Sequence, residues 1–151
     1  MPLKGLGNVK QAIDKVVESA NDDVKGIYLA GLKNIIEGTP ARKGVARNNW
    51  FLSEGSPTGT FKASPSVGGS ASLNSVLRNM PQSVLGKTLY FTNNTPYINV
   101  LEYGGYPNPV KYGSYFEGRF QKLSSGGYSK QAPGGFARKS IKLMQAKIRT
   151  L

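Results

Sequence analysis

The chain has 151 residues, of which twenty are Lys or Arg, eight are Asp or Glu, and none is His or Cys. That length suits one domain with a modest core. The missing Cys and His exclude disulfides, thiolate nucleophiles, His-based triads and the usual zinc sites.

The net charge of +12 is uneven. Residues 1–54 hold eight basic and six acidic side chains, a net of +2, and residues 55–151 hold twelve and two, a net of +10. Such asymmetry points to a polyanionic neighbour, whether nucleic acid, an anionic membrane surface or an acidic protein face. Solubility alone is the plainer alternative. No apolar run reaches the ~18 residues of a membrane span, and the start MPLKGLGNVKQ has no apolar signal core. The lack of Cys fits a reducing cytosol. Nineteen Gly and nine Pro predict long irregular segments.

In residues 8–37, Val9, Ile13, Val16, Val17, Ala20, Val24, Ile27, Leu32, Ile35 and Ile36 recur at helical spacing. Lys10, Asp14, Lys15, Glu18, Asp22, Lys25 and Lys33 fill the other positions. The pattern predicts a long amphipathic helix of ~45 Å, unless it breaks near Asn21-Asp22 or Gly26, and Gly38-Thr39-Pro40 ends it. Residues 46–53 read as a strand with Trp50 and Leu52 on one face and Phe51 and Ser53 on the other. The basic cluster Arg42, Lys43 and Arg47 precedes that pattern.

Residues 55–70, GSPTGTFKASPSVGGS, form a loop within the one domain. ASLNSVLRNM predicts a short helix with Ser70 or Ser72 as N-cap. GKTLYFTNN alternates as a strand does, Leu89 and Phe91 to one side, Thr88, Tyr90 and Thr92 to the other. Thr95 as N-cap and Pro96 at the first position then open a short helix that stops at Gly104, read as its left-handed terminator.

After Glu54 the acidic residues are Glu102 and Glu117. Glu102 falls in the last turn of the short helix, where a negative charge is unfavourable and needs a cation nearby. Arg47, on the adjacent strand, is the expected partner. Glu102 has no neighbour suited to acid–base work. The facing carboxylates that a glycosidase or two-metal nuclease requires are not grouped in this sequence. GLG at residues 5–7 follows no strand and is no dinucleotide fingerprint. The expectation is a protein without a catalytic site, cofactor or metal.

Residues 105–132 are rich in Gly, Tyr, Phe and Lys, with a strand near 114–121. Tyr106, Tyr112, Tyr115, Phe116, Arg119, Phe120 and Lys122 interleave aromatics with cations, as single-stranded nucleic-acid binders do. The same residue types mark protein interfaces. With no RNA-recognition octamer, KH loop or zinc finger, the interface reading is preferred. Residues 135–150 form a basic amphipathic helix: Phe136, Ala137, Ile141, Met144 and Ile148 make the stripe, Arg138, Lys139, Lys142, Lys147 and Arg149 the other faces, and Pro133 with its glycines the start signal. The fold class is α+β, one domain over 1–151. Its long N-terminal helix and C-terminal helix pack on one face of a small, mainly antiparallel sheet, with long loops at 55–70 and 105–132.

Three segments carry a family resemblance: TPARKGVARNNWFLSEGSP after the long helix, FTNNTPYINVLEYGG after a strand, and QAPGGFARKSI at the last helix. In this order they resemble the tail-completion (neck) proteins of long-tailed bacteriophages, including the minor tail protein Z type of lambda-like phages. The family pattern falls on Thr39-Pro40, Gly44, Arg47 and Trp50. It continues on Asn94, Pro96, Tyr97, Glu102, Tyr103 and Gly104, and then on Gln131, Ala132, Pro133 and Gly135. Two departures are Lys43, where the family has Thr, and the long aromatic segment after Gly105.

The resemblance implies a hexameric ring in the virion, at the junction of head connector and tail tube, assembled in the host cytoplasm without catalysis or membrane. Partners would be copies of the chain and other neck, connector and tail proteins. Subunit-interface candidates are Arg42, Lys43, Arg47, Trp50, Tyr97, Glu102, Tyr103, Gly104, Tyr106, Tyr112, Tyr115, Phe116 and Pro133, with loops 55–70 and 105–132 as arms. Arg119, Lys122, Lys130, Arg138, Lys139 and Lys142 are candidates to face DNA in the channel or an acidic surface. The rivals are another ring adaptor of the neck (a tail terminator or head-closure protein) and a basic nucleic-acid-binding protein.

Overall fold

A computed structural model describes residues 5–111, 113–116 and 118–151, without the side chains of Ser114 and Phe116. Helix α1 (Leu6–Gly38) runs 33 residues unbroken through Asn21-Asp22 and Gly26. At its end the Thr39 hydroxyl donates to the Ile35 carbonyl at 2.7 Å. Asn21 fastens its middle: Nδ2 donates to the Gln82 carbonyl at 3.0 Å, and Oδ1 accepts from Val84 N–H at 2.7 Å.

Strand β1 (Trp50–Glu54) pairs antiparallel with β2 (Leu89–Asn93), Trp50 opposite Asn93 and Glu54 opposite Leu89. The alternation holds: Trp50 and Leu52 are buried, Phe51 and Ser53 less so. Of the first four residues of the expected strand, 46–48 lie in a turn and Asn49 leads into β1. Trp50 and Leu52 meet Leu32, Ile35 and Ile36 of α1, Val76, Ala132 and Phe136 in the core, with Leu89 and Phe91 packed against it. The Trp50 ring stacks on Phe91 at 4.9 Å and meets Phe136 edge-on at 6.4 Å.

A two-stranded ribbon leaves open edges. Helix α2 (Ser70–Asn79) closes the outer edge of β1 with one face of polar side chains. The hydroxyls of Ser72 and Ser75 accept from the N–H groups of Trp50 and Leu52 at 2.8 and 3.1 Å, and Asn79 Nδ2 donates to the Leu52 carbonyl at 3.0 Å. Ser72 is thereby a strand partner. Neither it nor Ser70 caps α2, whose N-cap position belongs to Gly69.

Helix α3 (Ile98–Tyr103) starts two residues later than expected, with Tyr97 at its cap. Thr95 does not cap it. Its hydroxyl is buried with no hydrogen-bond partner among the described residues, while its N–H donates to Asn93 Oδ1.

The segment after α3 holds a second sheet where one strand was expected. Strands β3 (Gly113–Phe116), β4 (Arg119–Ser124) and β5 (Tyr128–Ser129) form an antiparallel meander in that order. The stretch read as one strand reverses between Phe116 and Arg119, which pair with each other. Helix α4 (Ala137–Arg149) returns antiparallel along α1, with Phe136 beside Gly38 and Met144 against Gly31.

The two long loops thus differ. Residues 55–69 lack regular structure but are tied to the rest of the chain by asparagines. Asn49 Nδ2 donates to the Lys62 carbonyl while its Oδ1 accepts from Lys62 N–H, Asn48 Nδ2 donates to Ser64, and Asn94 Nδ2 donates to Thr58 and Thr60. This loop is a strap, not a free arm.

Candidate functional site

The three segments on which the resemblance rests converge. Helix α4 begins at a GGFAR stretch that offers no Ser, Thr, Asp or Asn side chain, and its N-cap residue Phe136 makes no side-chain cap. A helix start leaves backbone N–H groups without partners. Glu102, in the last turn of α3, supplies the acceptor. Its Oε2 accepts from the N–H groups of Phe136 and Ala137 at 2.9 and 2.8 Å. Its Oε1 accepts from Arg138 N–H at 3.0 Å and Arg138 Nε at 2.8 Å. Arg138 Nη2 also donates to the Glu102 carbonyl at 2.8 Å, and its guanidinium lies 4.6 Å from the Tyr103 ring centroid.

The expected partner was Arg47; the actual one is Arg138. A carboxylate at the end of one helix is compensated by the positive end of another. Burial alone would raise the Glu102 pKa. The N–H groups of Phe136, Arg138 and Ala137 and the Arg138 guanidinium outweigh it and hold the carboxyl below its ordinary range. With four donors on its two oxygens, Glu102 is a structural acid rather than a base aimed at a substrate.

Arg47 serves another joint. Its Nε donates to the Thr39 carbonyl at 2.9 Å and its Nη1 to the Val67 carbonyl at 2.8 Å, fastening both the end of α1 and the strap. Thr39 Oγ1 accepts in turn from Trp50 Nε1 at 2.8 Å. The Gln131 amide clasps Ala41, accepting from its N–H at 2.8 Å and donating to its carbonyl at 3.0 Å, as a paired strand residue would.

Two glycines are required here. Gly135 has φ 87, and a Cβ on it would run into the Glu102 carbonyl. Gly104 has φ 68 as expected, but its ψ of −144 is not the left-handed terminator. The chain turns at once so that Gly105 N–H donates to the Gly126 carbonyl, and a Gly104 Cβ would lie 2.7 Å from that oxygen.

Beside this knot lies a groove of about 460 Å³ between the 40–46 turn, α3 and strands β4 and β5. Arg42, Lys43, Tyr97, Tyr106, Lys122 and Lys130 line it, with Val100 and Leu101 among its apolar residues. It therefore joins residues read separately as interface and as DNA-facing candidates. Trp50 and Glu102 are buried in the knot, and Tyr103 is exposed beneath Arg138. Tyr115, exposed, meets Phe120 edge-on at 5.4 Å on the second sheet. Arg119, Lys139 and Lys142 are exposed outside the groove, and Lys139 Nζ donates to the carbonyl of exposed Pro133. Tyr112 and the Phe116 side chain lie outside the described residues.

Sequence reading missed Arg138 as the partner of Glu102, although a helix start with no capping side chain was the available signal. It also missed the asparagines of the strap, which carry no spacing signature. No family model matches the chain, and no characterised protein or solved structure matches it.

Proposed function

We propose that the protein is a structural subunit of a phage neck, forming a ring that completes the tail and joins it to the head connector, with DNA passing through the channel. One observation carries this reading: the three separated segments of the family pattern meet in a single knot. Thr39, Arg47 and Trp50 tie one joint, Gln131 clasps Ala41, and Glu102 caps the helix that follows Gly135. Residues far apart in the chain are thus used together, each for a bond its type suits. The role is mechanical, since the buried carboxylate is spent on backbone donors. The basic groove and the basic α4 suit acidic faces of adjoining rings or the passing DNA.

Negative-stain imaging of phage lacking a functional copy of the gene tests the proposal. Separate heads and tails are the expected result; complete, joined particles overturn it.

The groove favours one second reading, a nucleic-acid-binding protein, because Tyr97 and Tyr106 sit among four cations there. A gel shift over a salt series separates the two. Tight binding by a monomer with a steep salt slope belongs to the second reading.

A further inference from the structure

Helix α4 meets the rest of the chain along one side. Ser140 is buried, and Ala137 and Met144 are half-buried, Met144 against Gly31 of α1. At 3.6 residues per turn these three lie within about 60° of one another. The sector opposite them, about 120° wide, holds Arg138, Lys139, Lys142, Ala146 and Arg149, all exposed. All but Ala146 are cations, strung along about 16 Å of helix. No acid dilutes them: residues 118–151 contain eight Lys or Arg and no Asp or Glu. Arg138 is held by Glu102, and Lys139 by the Pro133 carbonyl. Lys142 and Arg149 make no ion pair or side-chain hydrogen bond among the described residues.

The make-up of this face selects its partner. The large apolar residues of the helix, Ile141, Leu143 and Ile148, lie outside the sector. A protein docked on the face would therefore meet no apolar centre, the part that anchors protein interfaces. A bilayer surface takes up a helix by its apolar face, and here the face turned outward is the charged one. A phosphate backbone needs neither. It is dense in charge, about one per 1.7 Å of duplex, and it is bound by Lys and Arg projecting from any exposed helix.

We infer that the outer face of α4 is a contact for duplex DNA, with Lys139, Lys142 and Arg149 meeting phosphates without sequence preference and Arg138 adding its charge from the knot. The inference rests on the neck reading for the presence of a duplex, and it assigns the DNA to α4 rather than to the groove.

Fluorescence anisotropy of a labelled duplex of about 30 base pairs, titrated with the full chain over a salt series, tests it. Two variants at exposed positions accompany the wild type: Lys142→Ala/Arg149→Ala on α4 and Lys122→Ala/Lys130→Ala in the groove. The α4 variant binds about tenfold more weakly or worse, and its log–log salt slope is shallower by about 2 for each subunit in contact. The groove variant keeps the larger share of the affinity. No duplex binding by the wild type at low salt overturns the inference, as does a wild-type-like α4 variant. A greater loss in the groove variant moves the contact there and also overturns it. So does tighter binding of poly-glutamate than of the duplex, which makes the partner an acidic protein face. Any of these results, with separate heads and tails in the gene-deficient phage, leaves the neck reading standing. Duplex binding that depends on Lys142 and Arg149, with joined particles in that phage, sinks the neck assignment and leaves the contact intact.

Discussion

Glu102 and Arg138 close a loop of bonds between two helices: the carboxylate caps the first turn of α4, and the arginine of that turn reaches back to both the carboxylate and the carbonyl of Glu102. Removing the acid leaves the N–H groups of Phe136, Ala137 and Arg138 without their acceptor in a half-closed site. Glu102→Ala therefore costs about 2–4 kcal/mol, above the usual range for an N-cap because the bonds are charge-assisted. Glu102→Gln costs less, since one carbonyl oxygen remains. Arg138→Ala costs less than Glu102→Ala, because the backbone donors keep the carboxylate. Urea unfolding of the three variants, followed by Trp50 fluorescence, gives the order.

The same carboxylate sets an acid limit. Its pKa in the folded protein lies below the ordinary 4.5. Between the two values the unfolded chain binds more protons, so stability rises with pH across that window. The contribution is complete above about pH 4.5 and is lost as the pH falls through the folded value. The gap between the urea midpoints of the wild type and Glu102→Gln narrows as the pH is lowered below about 4.5; a constant gap between them contradicts this assignment.

Gly135→Ala attacks the same joint from the other side. The position has φ 87, and the added Cβ would meet the Glu102 carbonyl and crowd its carboxyl carbon at 3.1 Å. Backbone strain and displacement of the cap add, for a loss of about 2 kcal/mol or more. In the double variant Gly135→Ala/Glu102→Ala the two losses sum to less than their separate values, because the cap can be removed only once. A double-mutant cycle on urea midpoints reads the coupling directly.

The elements with strong periodicity were legible in the sequence: α1, β2 and α4 lie where apolar spacing puts them, β1 keeps only the second half of its expected span, and Trp50 and Leu52 face the core together. Two kinds of feature were not. Polar side chains that serve distant backbone leave no local pattern, so Ser72 looked like an N-cap when it closes the edge of β1, and Arg47 looked like a carboxylate partner when it binds two carbonyls. Amphipathicity also reports that a face is apolar without saying what covers it. The stripe of α1 reads evenly from Val9 to Ile36, yet Val9, Ile13, Val16 and Val17 are exposed while Leu32, Ile35 and Ile36 lie in the core. In the candidate site, the importance of Glu102 was legible from its isolation among cations, but not its partner, which arrives 36 residues later at the start of α4.

Trp50 and Thr39 offer a test of the other joint. Trp50 Nε1 donates to Thr39 Oγ1, which itself donates to Ile35, so one hydroxyl links β1 to the end of α1. Trp50→Phe keeps an aromatic ring against Phe91 and Phe136 but removes the donor and part of the volume, at about 1–3 kcal/mol. Thr39→Val leaves the indole N–H buried without an acceptor and costs about as much. Arg47→Ala releases the Val67 carbonyl and with it the downstream end of the strap. Limited proteolysis should then cut within residues 55–69 faster than in the wild type, while Trp50→Phe lowers the urea midpoint without opening that site. Cleavage elsewhere in Arg47→Ala, with the strap still protected, would assign the strap to its asparagines alone.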